Sequence, residues 1–178
     1  PSIVAFSDDG DCVPTAGMMA RVLSVVKQTG TCFMQHCQDA SLTVGAAMHA
    51  GEVSARLGVR GWPRVAEEVI IDRDLALNRE IGARYHAQHV SSAGSIGILK
   101  AAREALAAAG PEGKSRVTAE ATPHHLMLTH DACDGYNTNA KVNPPLREKK
   151  DVMSLRQAVA DGIITVLATD HAPHSAEE

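Results

Sequence analysis

Short apolar runs alternate along this chain with longer stretches of helical period. Ile3 to Phe6, Cys32 to His36, Arg84 to His89, Arg116 to Ala121 and Ile163 to Thr169 read as five strands. Between the first two, Met18, Met19, Val22, Leu23, Val25 and Val26 recur at helical spacing over 15–28, and Gly30 ends the run. Those methionines read as core packing, not as ligands. A second helix is expected over 41–57, weakened by Gly45 and Gly51. Gly61-Trp62-Pro63 makes a break, and Pro63 opens a third helix that reaches Ile81 with Val69, Ile70 and Leu77 inward. Glu67 and Glu68 suit the dipole of its first turns. Ser91 or Ser92 caps an alanine-rich helix over 94–109. A surface loop at 110–114, a turn-rich segment at 129–140 and a stiff loop from Lys141 to Arg147 complete the connections, with Asn143 held by two prolines. A helix over 148–160 feeds the last strand.

The order is strand and helix in alternation, with one extra helix between residues 41 and 82. That pattern implies an α/β fold with a parallel sheet and right-handed crossovers. In such folds the chemistry sits where strands end. Here Asp9, His36, His89 and Asp170 sit at the ends of the first, second, third and fifth strands. Nitrogen and oxygen donors converging on one rim are what a hydrolytic metal centre needs. Strand alternation sends His86 and His89 to opposite faces, and His89 is the one nearer the mouth. Asp170-His-Ala-Pro-His174 puts a carboxylate and two imidazoles at one exit, stiffened by Pro173. Its plain alternative is an N-cap aspartate with solvated histidines.

Composition narrows the classes. With 178 residues, 44% hydrophobic and 21% charged, the chain is globular and the size of one domain or a large part of one. A net charge of −4 without a basic block, and only 3% aromatics, argue against nucleic acid as a partner. No apolar run is long enough to cross a bilayer, and no signal peptide is visible. Cys12, Cys32, Cys37 and Cys133 lack CxxC spacing and read as reduced thiols of a cytoplasmic protein. Pro1 stands two residues before an apolar run, which reads as a start inside a fold.

Seven segments together resemble the dihydroorotases of the amidohydrolase superfamily, in their longer bacterial type. They are Ala5-Phe-Ser-Asp-Asp-Gly10, His36-Cys-Gln-Asp39, Gly61-Trp-Pro-Arg-Val-Ala-Glu-Glu68, His86-Ala-Gln-His-Val-Ser91, Glu120-Ala-Thr-Pro-His-His-Leu126, Lys141-Val-Asn-Pro-Pro-Leu-Arg147 and Ala168-Thr-Asp-His-Ala-Pro-His174. The resemblance implies a partial (β/α)8 barrel, about strands four to eight, filling residues 1–178 as one incomplete catalytic domain. It implies one or two zinc ions held by Asp9, His36, His89 and Asp170, with Asp170 also carrying the proton. Asn143 and His174 match positions that hold substrate; His86, His124, His125 and His171 are assigned supporting roles.

The implied reaction is the reversible hydrolysis of dihydroorotate to N-carbamoyl-aspartate in pyrimidine biosynthesis. Gln38 departs from the family's usual glutamate at a position that is not a ligand. The family's strand-one His-x-His pair is expected upstream of Pro1. An allantoinase or hydantoinase is the rival enzyme reading; those relatives carry a carboxylated lysine where this chain has Asp8-Asp9. A non-catalytic scaffold for aspartate transcarbamoylase is the rival of another class. A homodimer and aspartate transcarbamoylase are the protein partners the resemblance allows.

Overall fold

The computed structural model describes residues 3–108 and 116–173. Five strands, β1 (Ala5–Ser7), β2 (Cys32–Gln35), β5 (Arg84–Ala87), β6 (Val117–Ala121) and β7 (Val166–Leu167), pair in parallel in the order β1-β2-β5-β6-β7. Each pairs with the next strand in the sheet, as alternation of strand and helix demands. The long helices α1 (Ala16–Thr29), α4 (Val65–Ile81), α5 (Ala93–Ala107) and α7 (Lys149–Ala160) form the crossovers. They pack in sequence, α1 on α4, α4 on α5 and α5 on α7.

The core lies between this helical layer and one face of the sheet. Phe33, Tyr85 and Val117 share that face by register and are buried. Met19, Leu23, Ile70, Ile71, Leu75 and Leu99 pack over them from the helices. Full burial of each such side chain contributes roughly 1.5–3 kcal/mol. The opposite face carries Ser7, Met34, His86 and Thr118 side by side. This polar face is the inner wall of a partial barrel, and its rim is the mouth.

Local signals set the helix ends. The Thr15 side chain accepts from Met18 N to start α1, and Gly30, at φ +71°, ends it. Ser92 is the cap of α5 and accepts from Ser95 N. Gly94 leaves room for a neighbour: a Cβ there would stand 2.2 Å from Glu68 Oε1.

The structure corrects several expectations. The helix expected over 41–57 is two short helices, α2 (Ala40–Thr43) and α3 (Glu52–Leu57), separated by β3 (Met48–His49). β3 pairs in parallel with β4 (Gly61–Trp62), so a small βαβ unit is inserted before α4. Gly45, at φ +67°, stops the first helix, which the expected single helix would have had to run through. In α1, Met18 and Val25 are exposed, and in α4 Val69 is exposed while Asp74 and Asn78 are buried. A short helix, α6 (Pro123–Met127), follows β6, with Thr122 as its cap. Ile163 and Ile164 are buried as expected, but Val166 and Leu167 lie on an open edge. The loop expected at 110–114 and His174 lie outside the described residues. Among the described residues, no helix is long and apolar enough to cross a membrane.

Candidate metal centre

Three of the four expected ligands meet at the rim. His36 Nδ1 lies 3.0 Å from His89 Nε2, His36 Nδ1 lies 3.3 Å from Asp9 Oδ1, and His89 Nε2 lies 3.4 Å from Asp9 Oδ1. Four donors at zinc distance in a tetrahedron stand about 3.3–3.4 Å apart. The triangle therefore has the size of one face of a zinc tetrahedron, and its donor set of two imidazoles and a carboxylate suits zinc.

Each candidate ligand reaches the rim by a local device. His36 follows directly on β2, and its ring is buried. β5 ends at Ala87, so His89 is outside the strand and alternation does not govern it. Its φ of +30° turns it to the mouth, while His86 stays on the inner wall. There His86 bonds to Thr118 Oγ1 at 2.8 Å and to Glu120 Oε2 at 3.0 Å. Asp9 sits in the turn after β1 and accepts at Oδ1 from Gly10 N.

Two glutamines hold the far sides of these groups. Gln38 Oε1 accepts from His36 Nε2 at 2.8 Å, which fixes the proton on Nε2 and leaves the Nδ1 lone pair toward the triangle. Gln88 Nε2 donates to Asp9 Oδ2 at 3.1 Å, and Ser7 Oγ donates to Gln88 Oε1 at 3.0 Å. His89 Nδ1 is buried without a partner among the described residues. The bond with His89 pulls Asp9 down to about 2. Burial, aided by the charge of His89, lowers His36; burial opposes a charge on His89, but its bond to Asp9 and the charges of Asp9 and Asp170 raise it.

Asp170 does not join the triangle. It stands half-buried after β7 at φ +49°, and its charge acts on both His89 and His124. Two non-glycine residues in the left-handed region, His89 and Asp170, thus flank one mouth. Asn143 is exposed and donates from Nδ2 to Gln38 Oε1 at 3.2 Å.

A buried network beneath the rim escaped sequence reasoning. Glu67 was expected to serve its own helix dipole. Instead its carboxylate accepts from Ser91 N, Ser92 N, Ser91 Oγ and Ser95 Oγ, and so ties down the entry to α5, the helix that follows His89. Glu68 Oε1 likewise accepts from Ser92 Oγ. Arg147 donates from Nε to Ser91 Oγ at 3.0 Å and from Nη1 to Trp62 O at 2.9 Å. The inserted βαβ unit braces the 141–147 loop through Trp62, and Arg64 binds Asp151 of α7. The Glu-Glu pair and the Arg147 of the motifs were the available signals; their partners, distant in sequence, were not visible.

A family model described as dihydro-orotase-like matches residues 2–95. The chain is 50% identical over 179 residues to a dihydroorotase of Streptomyces coelicolor, covering 99% of this chain and 39% of that protein. It is 49% identical over 173 residues to the dihydroorotase of Mycobacterium tuberculosis, covering 97% of this chain and 38% of that protein. The chain thus spans about two fifths of the length of these relatives. Among solved structures it resembles the L-hydantoinase of Arthrobacter aurescens, with a TM-score of 0.74, 24% identity, and coverage of 99% of this chain and 38% of that one. It also resembles the dihydroorotase of Saccharomyces cerevisiae in complex with 5-fluoroorotic acid, with a TM-score of 0.65, 19% identity, and coverage of 88% and 39%. At such identities the two structures speak to the fold alone, which is a portion of theirs.

Proposed function

Since the chain belongs to the dihydro-orotase-like family, we propose that the full-length protein is a zinc-dependent dihydroorotase, a cytoplasmic enzyme of pyrimidine biosynthesis. It interconverts dihydroorotate with N-carbamoyl-aspartate. The observation that carries this reading is the Asp9–His36–His89 triangle, whose edges of 3.0–3.4 Å match three zinc donors.

Asp9, His36 and His89 would hold the ion. Bound zinc supplies a Lewis acid that polarises a carbonyl and lowers the pKa of water from about 15.7 to about 7. Asp170, at the same mouth, takes up the proton given off by the water that adds to the ring carbonyl. It returns that proton to the ring nitrogen as the C–N bond breaks. Asn143 and His174 orient the substrate, and such placement can be worth several kcal/mol. Glu67 and Arg147 keep the segment after His89 fixed beneath them.

The test is made on the full-length protein. Zinc is measured after dialysis, and turnover is followed in both directions with dihydroorotate, N-carbamoyl-aspartate, hydantoin and allantoin. Zinc retention with turnover of the first pair alone is expected. Turnover of hydantoin or allantoin instead would make it a different cyclic amidohydrolase. Zinc-free, inactive protein that still binds an aspartate transcarbamoylase would make it a scaffold.

A further inference from the structure

Gln38 occupies a junction that no ligand role explains. Its Oε1 accepts two hydrogen bonds, from His36 Nε2 at 2.8 Å and from Asn143 Nδ2 at 3.2 Å. Its Nε2 donates to Thr43 Oγ1 at 2.8 Å. The buried Thr43 hydroxyl itself donates to the carbonyls of Asp39 and Ala40, at 3.4 and 3.3 Å, so toward Gln38 it accepts, and this fixes which end of the amide faces the site. With that end fixed, only oxygen is offered to His36 and Asn143. The imidazole must keep its proton on Nε2, and the Asn143 amide must point its nitrogen inward.

We propose that Gln38 is a positioning residue that couples the 141–147 loop to the metal centre, using one carboxamide oxygen to set both the tautomer of His36 and the orientation of Asn143. This rests on the zinc-site reading above. A partner on the far nitrogen of a metal-binding histidine orients the ring and selects its tautomer, and its loss typically weakens metal binding 10–100-fold. The shared oxygen adds a second consequence: a change at Gln38 also releases the amide of Asn143. Binding of zinc and binding of substrate should then depend on each other, and such linkage is reciprocal.

Two variants of the full-length protein separate the parts. Gln38→Met has similar length and no acceptor oxygen; Gln38→Glu keeps both acceptor functions. Zinc Kd is read by competition with a chromophoric chelator, and KM and kcat are read on zinc-saturated protein. Q38M is expected to raise the zinc Kd 10–100-fold and to raise KM. Q38E is expected to stay near the native zinc Kd. In a double-mutant cycle, Q38M and Asn143→Ala should raise KM together no more than the larger single effect, since both break one contact. A folded Q38M with native Kd and KM overturns the proposal, as does a Q38E as impaired in zinc binding as Q38M. Should Q38M not fold, Thr43→Val leaves Gln38 in place and frees its amide; an unchanged zinc Kd there is equally fatal. A native protein that binds no zinc at all would instead sink the zinc-site reading itself.

Discussion

His36 Nδ1 and His89 Nε2 face each other at 3.0 Å, with their rings at 73°. Two ring nitrogens at this distance share either one proton or one cation. Gln38 has already assigned the His36 proton to the other nitrogen. Asp9 Oδ1 stands within 3.4 Å of both nitrogens and supplies the negative charge that either occupant needs.

His36→Ala, His89→Ala and Asp9→Asn should each weaken zinc binding more than loss of an outer partner does, so by more than about 100-fold. Asp9→Asn is the informative one, because it keeps shape and removes charge. Gln88→Leu, which frees Asp9 Oδ2, should cost less, about 10-fold. Metal analysis after dialysis against graded chelator orders the four variants. A Gln88→Leu loss exceeding that of Asp9→Asn would contradict the assignment of Asp9 as ligand.

Glu67→Ala should be among the most destabilising changes in the chain. Glu67 and Arg147 are each nearly fully buried, and the carboxylate accepts from the backbone N–H groups of Ser91 and Ser92 at the entry to α5. Removing one partner of a buried pair leaves the other charge uncompensated, which costs about 3–5 kcal/mol. Glu67→Gln keeps one acceptor oxygen for these groups and should cost less. Urea denaturation of the full-length protein reads both. An effect of Glu67→Ala below about 1 kcal/mol, the range of a surface pair, would show that the network carries no weight.

The contrast between Asp9 and Glu67 shows what a sequence carries. Asp9, His36 and His89 were legible because each follows a recognisable strand end, and parallel strands bring those ends to one rim. For His86 and His89, alternation gave the wrong result: His86 lies on the inner wall, and a left-handed conformation at His89, beyond the end of the strand at Ala87, turns that residue to the mouth, so both face the interior. The inserted βαβ unit was illegible because β3 and β4 have two residues each, too short to show a period. Glu67 was misassigned because its serine partners lie 24, 25 and 28 positions away, and periodicity reports only on a residue's own element. Gln38 was set aside because it is not a ligand; its amide matters through the groups it orients.

Acid should destabilise the fold through His125. Burial holds this imidazole down to about 3, and the nearby His124 adds to the effect. Thr122 Oγ1 at 2.7 Å and Pro144 O at 2.8 Å occupy its two nitrogens, and Arg147 also disfavours a positive charge. The unfolded chain takes up this proton near pH 6.5 and the folded chain only near 3. The stabilisation is therefore complete above about pH 6.5 and is lost as pH falls toward 3, at up to about 1.4 kcal/mol per pH unit. His125→Gln should flatten the fall of urea stability between pH 6.5 and 4 relative to the native protein. Parallel curves for the two proteins would show that His125 does not titrate in this window.

Expressed by themselves, residues 1–178 should self-associate. The sheet has two edges, β1 and β7, each paired on one side only. Both edges are apolar: Ile3 is 65% exposed, Val4 77% and Phe6 43% on one side, and Val166 is 42% and Leu167 63% on the other. Unpaired parallel edges with exposed apolar side chains recruit further strands. In the full-length protein we expect neighbouring barrel strands to cover them, as the two-fifths coverage of relatives suggests. Sedimentation of the 178-residue chain should therefore show association at micromolar concentration. Val4→Lys together with Leu167→Lys should reduce it, because a charge blunts an edge without touching the core. The same pair in the full-length protein should destabilise it, since the lysines would then meet a neighbouring strand. If the 178-residue chain is a clean monomer, and the lysine pair leaves the full-length protein as stable as before, the edges are free surfaces and not strand-pairing sites.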